Sequence, residues 1–124
     1  MYASVSPYYE TALDKSRYRG ANLSGTDTPE RQGSEGIDKL WDGQTTMAQR
    51  YMTELPLDGS SAFVTVNIGQ LAQISRIKFW TYPEWMPDGS NPYYYGGSPR
   101  IIEIYGSENP NPDGSWDDSW FLLS

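Results

Sequence analysis

Residues 82–97 place Tyr82, Trp85, Tyr93, Tyr94 and Tyr95 in one turn-rich stretch, interleaved with Glu84 and Asn91 and followed by Arg100. Rings beside carboxylate, amide and guanidinium groups suit sugar binding. A pyranose offers an apolar C–H face to a ring and a rim of hydroxyls to polar side chains. Trp85, Tyr93, Tyr94 and Tyr95 are therefore the expected platform, with Glu84, Asn91 and Arg100 as hydrogen-bonding partners. The connection is long for a hairpin, and long loops are often functional. The competing use of the same rings is to fold back and plug the end of a β-sandwich, because large rings dominate small cores.

Catalysis is harder to draw from these residues. The chain has no histidine and no cysteine, which removes the commonest general base near neutral pH, the commonest zinc ligand, any thiolate nucleophile and any disulfide. A glycosidase would need two carboxyls facing across a cleft, about 5–10 Å apart. Asp117 and Asp118 are adjacent, and adjacent strand residues point to opposite faces, so they are expected to form a solvated turn between Trp116 and a core Trp120. The expectation is a protein that is not an enzyme.

The elements holding these residues must be built largely of β-structure. Twelve Gly and nine Pro in 124 residues interrupt any long helix. Aromatic residues make up 15% of the chain, and rings must supply much of its buried area. The length suits one domain, with residues 1–15 as an irregular lead-in and residues 16–124 as the folded unit. A net charge of -7 with scattered Lys and Arg repels phosphate backbones and argues against a nucleic-acid partner. No apolar run approaches the about 20 residues of a membrane-spanning helix. The start, Met1-Tyr2-Ala3-Ser4, has neither a basic nor an apolar segment of a signal peptide.

Periodicity places the elements. Ile37, Leu40 and Trp41 stand three and four apart, which predicts one helical turn docking its apolar face and ending at Gly43. Tyr18 and the small residues after it suit an edge strand within residues 16–24. Residues 62–69 alternate cleanly, with Val64, Val66 and Ile68 on the inward face. A second strand over residues 74–82 points Ile77 and Phe79 inward, and a third over residues 99–107 does the same with Ile102 and Ile104. Residues 109–114 form a turn cluster, after which a further strand begins at Trp120. The expected fold is all-β, an antiparallel sandwich enclosing these inward sets.

Four features stand in order: Leu40-Trp41-Asp42-Gly43, Val64-Thr65-Val66-Asn67-Ile68-Gly69, Ile74-Ser75-Arg76-Ile77-Lys78-Phe79-Trp80 and Ile102-Glu103-Ile104-Tyr105-Gly106-Ser107. Their order resembles the discoidin, or F5/8 type C, domain, a galactose-binding-like jelly roll. Residues 105–120 are similar to discoidin-like domains of unknown function in Bacteroidetes surface lipoproteins. The resemblance covers roughly residues 14–124. It departs at Asn67, where the family often has Asp, and at Ser124, beyond which the family pattern continues through further strands.

The resemblance implies a carbohydrate-binding module of a glycan-utilisation lipoprotein, exported to the outer membrane surface or the periplasm by a lipid anchor outside these residues. The alternative is a structural or protein-interaction domain without sugar binding. An incomplete sandwich would expose edge strands, to be covered by a missing C-terminal segment or by edge pairing with a second copy. The resemblance also implies a structural Ca²⁺ at Asp42, Gln44, Thr45 and Thr46, whose hard oxygen donors suit that ion. The other role open to Asp42 is to cap backbone amides in an Asp-Gly turn.

Overall fold

The computed structural model describes residues 11–23, 26–46, 50–81 and 99–123. Its regular elements are short: β1 (Arg19–Gly20), β2 (Val66–Asn67), β3 (Tyr105–Gly106) and β4 (Phe121–Leu122), with 3-10 turns at Lys15–Arg17 and Ile37–Leu40. The chain is β-rich and mostly non-helical. Among the described residues it forms two small antiparallel sheets, β1 with β2 and β3 with β4. Among the described residues no helix is long and apolar enough to cross a membrane.

The first sheet is anchored by more than its ladder. Arg19 pairs with Asn67 and Gly20 with Val66, and the Ala21 amide then donates to the Thr65 carbonyl at 2.9 Å. Beyond β1 the chain continues along the same strand in the same antiparallel sense, and the Thr28 amide donates to the Phe63 carbonyl at 3.0 Å. The Asp27 carboxylate accepts from both the amide and the hydroxyl of Thr65, at 2.8 and 2.7 Å. An irregular ribbon continues outward through an antiparallel bridge between Glu30 and Thr53, with the Glu35 amide donating to the Arg50 carbonyl.

The Ile37–Leu40 turn forms where the three-and-four spacing predicts it, and it packs on β1. A methyl group at Gly20 would sit 2.9 Å from Ile37 Cδ1, so the absence of a side chain there is what lets the turn approach. Tyr18 and Trp41 close the contact edge-to-face, with ring centroids 5.8 Å apart.

The inward set of residues 62–69 is recovered in part: Val64, Val66 and Ile68 are half-buried while Phe63 and Asn67 are exposed. The ladder itself takes in only Val66 and Asn67. The next two strands differ more from expectation. Among the described residues no ladder includes residues 74–81, and of residues 99–107 only Tyr105 and Gly106 pair. Ile77, Phe79 and Ile102, expected inside, are 45%, 51% and 41% exposed, and no described side chain is fully buried. Ile74 and Ile77 line, together with Ile104 and Leu123, an open cleft of about 360 Å³. Alternation sorts residues between faces but does not supply the second layer that would bury one.

Candidate functional site

Most of the expected platform, Glu84, Trp85, Asn91, Tyr93, Tyr94 and Tyr95, lies outside the described residues. Arg100 is described and exposed, at the start of the segment leading into β3.

A different aromatic group is assembled by the β3–β4 hairpin. Tyr105 pairs with Leu122 and Gly106 with Phe121, and the Leu123 amide donates to the Ile104 carbonyl at 2.7 Å. That pairing brings the two ends of the connection, residues 107–120, side by side. Trp116 lies against Tyr105 with centroids 4.9 Å apart at 72°, and against Trp120 with centroids 5.1 Å apart at 51°. Both arrangements are inclined contacts of the kind aromatic quadrupoles favour over face-to-face stacking. Trp120 is half-buried, whereas Trp116 is 58% exposed. Trp120, expected in the core, is only half-buried, while Trp116 presents a ring to solvent.

The connection is stiffened by local hydrogen bonds on both sides of that ring. Before it, the Ser115 amide donates to Asp113 Oδ1 at 2.8 Å and the Asn111 amide nitrogen to the Ser115 hydroxyl at 2.9 Å. After it, the Ser119 amide donates to Asp117 Oδ1 at 2.9 Å, and the Ser107 and Ser119 hydroxyls meet at 3.0 Å across the base of the loop. These short side-chain turns are what Asp and Asn provide where no ladder is available. Ser115 and Ser119 hold the Asp113 and Asp117 carboxyls below their usual range through side-chain and backbone hydrogen bonds. The Tyr105 hydroxyl donates to Glu103 at 3.1 Å, and that bond and the Glu103 charge raise the phenol above its ordinary value. Chemically, the arrangement offers one open ring flanked by ionised acceptors. Asp117 and Asp118 are both exposed, and one oxygen of the Asp117 carboxylate accepts from the Ser119 amide.

Asp42 is placed as a turn residue. One of its oxygens accepts from the Gln44 amide at 2.8 Å, and the other lies 3.4 Å from the Lys39 ammonium, which also pairs with Asp38 at 3.1 Å. These bonds, Asp38 foremost, raise the Lys39 pKa. Gln44, Thr45 and Thr46 are exposed. Calcium takes about 6–8 oxygen donors, and here the single carboxylate of the set is already neutralised by an ammonium group. In this arrangement Lys39 holds the place beside Asp42 that a cation would take. Millimolar Ca²⁺ is accordingly expected to leave the melting temperature unchanged. A rise on adding calcium, abolished by Asp42→Ala, would instead show that Lys39 gives way to a bound ion, since a ligand of the folded state alone stabilises it by mass action.

A second concavity, about 660 Å³, is lined by Asp27, Pro29, Glu54, Leu57, Asp58 and Phe63 among others. Its Asp27 carboxylate is occupied by Thr65, so that group supports the sheet and is not open to a ligand.

Residues 41–124 match the family model of DUF5000, a domain of unknown function. No curated protein and no solved structure matches the chain.

Proposed function

We propose that this chain, which belongs to the DUF5000 family, is a non-catalytic carbohydrate-binding module. In this reading its two small sheets are parts of a discoidin-like, galactose-binding-like β-sandwich, carried by an exported glycan-utilisation lipoprotein. The observation that supports it is Trp116, held by Tyr105 and Trp120 with its ring open to solvent between two hydrogen-bonded turns. A pyranose would lay its C–H face on that ring and donate hydroxyl hydrogens to the neighbouring oxygens of Asn111, Asp113 and Asp117. The rings of residues 82–97, with Arg100, remain the further platform this reading calls for.

The affinity of one shallow site is modest, because each sugar hydroxyl exchanges a water bond for a protein bond at small net gain; a Kd of roughly 0.1–1 mM is expected. Trp116→Ala removes the open ring and is expected to weaken binding by about tenfold or more, with Trp116→Phe intermediate. Calorimetry against a ligand identified on a glycan array measures this directly. Unchanged affinity in Trp116→Ala would remove the ring from the site.

A structural or protein-interaction role is the second reading, favoured by the exposed apolar residues Ile74, Ile77, Phe79 and Trp80, which lie in one continuous exposed segment. It predicts no glycan binding and an apparent mass above 14.0 kDa in light scattering once its partner is present.

A further inference from the structure

Resting on the carbohydrate-binding reading, we infer that the Trp116 surface selects uncharged, soluble glycan chains and rejects both flat crystalline polysaccharide and polyanionic glycans. The first half of the inference is geometric. A crystalline polysaccharide face is planar, and a protein grips it with several rings lying in one plane. Here Tyr105 and Trp120 are inclined at 72° and 51° to Trp116, so neither can lie flat on a surface on which Trp116 stacks. Trp120 is half-buried, and the Tyr105 hydroxyl is committed to Glu103. Trp116 alone is left as a stacking face, wide enough for one sugar residue of a chain that can bend around it.

The second half is electrostatic. Residues 101–124 carry Glu103, Glu108, Asp113, Asp117 and Asp118 and contain no Lys or Arg. Asp113 and Asp117 flank the ring in sequence, and hydrogen bonds from Ser115 and Ser119 lower their pKa values, which favours the ionised form. Asp113 and Asp117 lie three residues before and one residue after Trp116, so uronate and sulfate groups of a sugar on the ring meet repulsion that is only partly screened. The same carboxylates are good acceptors for neutral sugar hydroxyls, since hydrogen bonds to ionised groups exceed neutral ones. The chain's net charge of -7 adds to the discrimination at longer range.

The test uses the full chain and its Trp116→Ala variant with three probes: a panel of neutral soluble polysaccharides (galactomannan, xyloglucan and arabinogalactan), polygalacturonate, and microcrystalline cellulose. Affinity electrophoresis reads the soluble probes and sedimentation reads cellulose. The expected result is Trp116-dependent retardation by at least one neutral polysaccharide, binding to polygalacturonate weaker by about tenfold or more, and no co-sedimentation with cellulose. Trp116-dependent binding to cellulose, or to polygalacturonate as tightly as to the neutral chains, overturns this inference while leaving the carbohydrate-binding reading in place. Absence of binding to every probe and to a glycan array overturns that reading, and this inference with it.

Discussion

Asp27→Ala is expected to lower the melting temperature by about 10 °C, far more than removal of an exposed carboxylate such as Asp58. The Asp27 carboxylate uses both oxygens on one residue, accepting from the Thr65 amide at 2.8 Å and the Thr65 hydroxyl at 2.7 Å. Those bonds tie residues 26–28 to the strand leading into β2, where Thr28 adds a third and a fourth link: its amide donates to the Phe63 carbonyl and its hydroxyl accepts from the Phe63 amide, both at 3.0 Å. Alanine leaves the half-buried Thr65 amide and hydroxyl without their acceptor. Hydrogen bonds to a charged group are worth about 1.5–3 kcal/mol each, and the two share one carboxylate, so a loss of about 2–3 kcal/mol is reasonable for the pair. Asp27→Asn keeps one acceptor oxygen and should recover about half of it. Thermal melts followed by circular dichroism compare Asp27→Ala, Asp27→Asn and Asp58→Ala. Equal melting temperatures for Asp27→Ala and Asp58→Ala would mean that the Asp27–Thr65 pair carries no stability.

The contrast between what the sequence discloses and what it does not follows from which interactions are local. The Ile37–Leu40 turn was legible because its signal, apolar residues three and four apart, is complete within one turn. The half-buried face of Val64, Val66 and Ile68 was legible from alternation for the same reason. Residues 74–80 alternate as well as residues 62–69 do, yet no ladder among the described residues takes them in. Periodicity states which side chains share a face and is silent on whether another strand or layer exists to meet it. Asp27 escaped notice because its partner is 38 residues away, beyond any local pattern.

The open ring of Trp116 was also missed, although a signal for it exists. Among the described residues, aspartate two residues before serine occurs at Asp14–Ser16, Asp58–Ser60, Asp113–Ser115 and Asp117–Ser119, and in each of these the serine amide donates to the aspartate carboxylate. This is a compact side-chain turn. Two copies bracketing one tryptophan, as at Asp113–Ser115 and Asp117–Ser119, fix the backbone on both sides of that ring. A lone Trp between acidic residues reads as a hairpin tip, whereas the doubled turn shows why the ring can be held in place without burial.

Gly114→Ala is expected to destabilise the protein by about 2–4 kcal/mol and to disturb the Trp116 surface together with the fold. Gly114 sits at φ +76°, in the left-handed region that costs a residue with a side chain about 1 kcal/mol. Strain is the smaller part. A Cβ at Gly114 would lie 2.6 Å from both Cγ2 and Oγ1 of Thr26 and 2.7 Å from the Leu23 carbonyl oxygen. Thr26 cannot swing aside without loss, because its hydroxyl and its amide both donate to that same Leu23 carbonyl, at 2.7 and 3.0 Å. The hairpin connection or the segment around Thr26 must therefore move, and overpacking of this kind costs about 1–3 kcal/mol beyond the strain. Gly59→Ala separates the two contributions: Gly59 has nearly the same φ, +77°, and nothing within 4 Å of where its Cβ would stand. Gly59→Ala should thus show the strain alone and Gly114→Ala the strain plus the clash. Because Gly114 is two residues from Trp116, the tryptophan fluorescence maximum and the glycan affinity should shift in Gly114→Ala and stay constant in Gly59→Ala. Matching melting temperatures for the two variants would place Thr26 and Leu23 away from the hairpin connection, and the close approach at Gly114 would then have no part in holding the ring where a sugar could reach it.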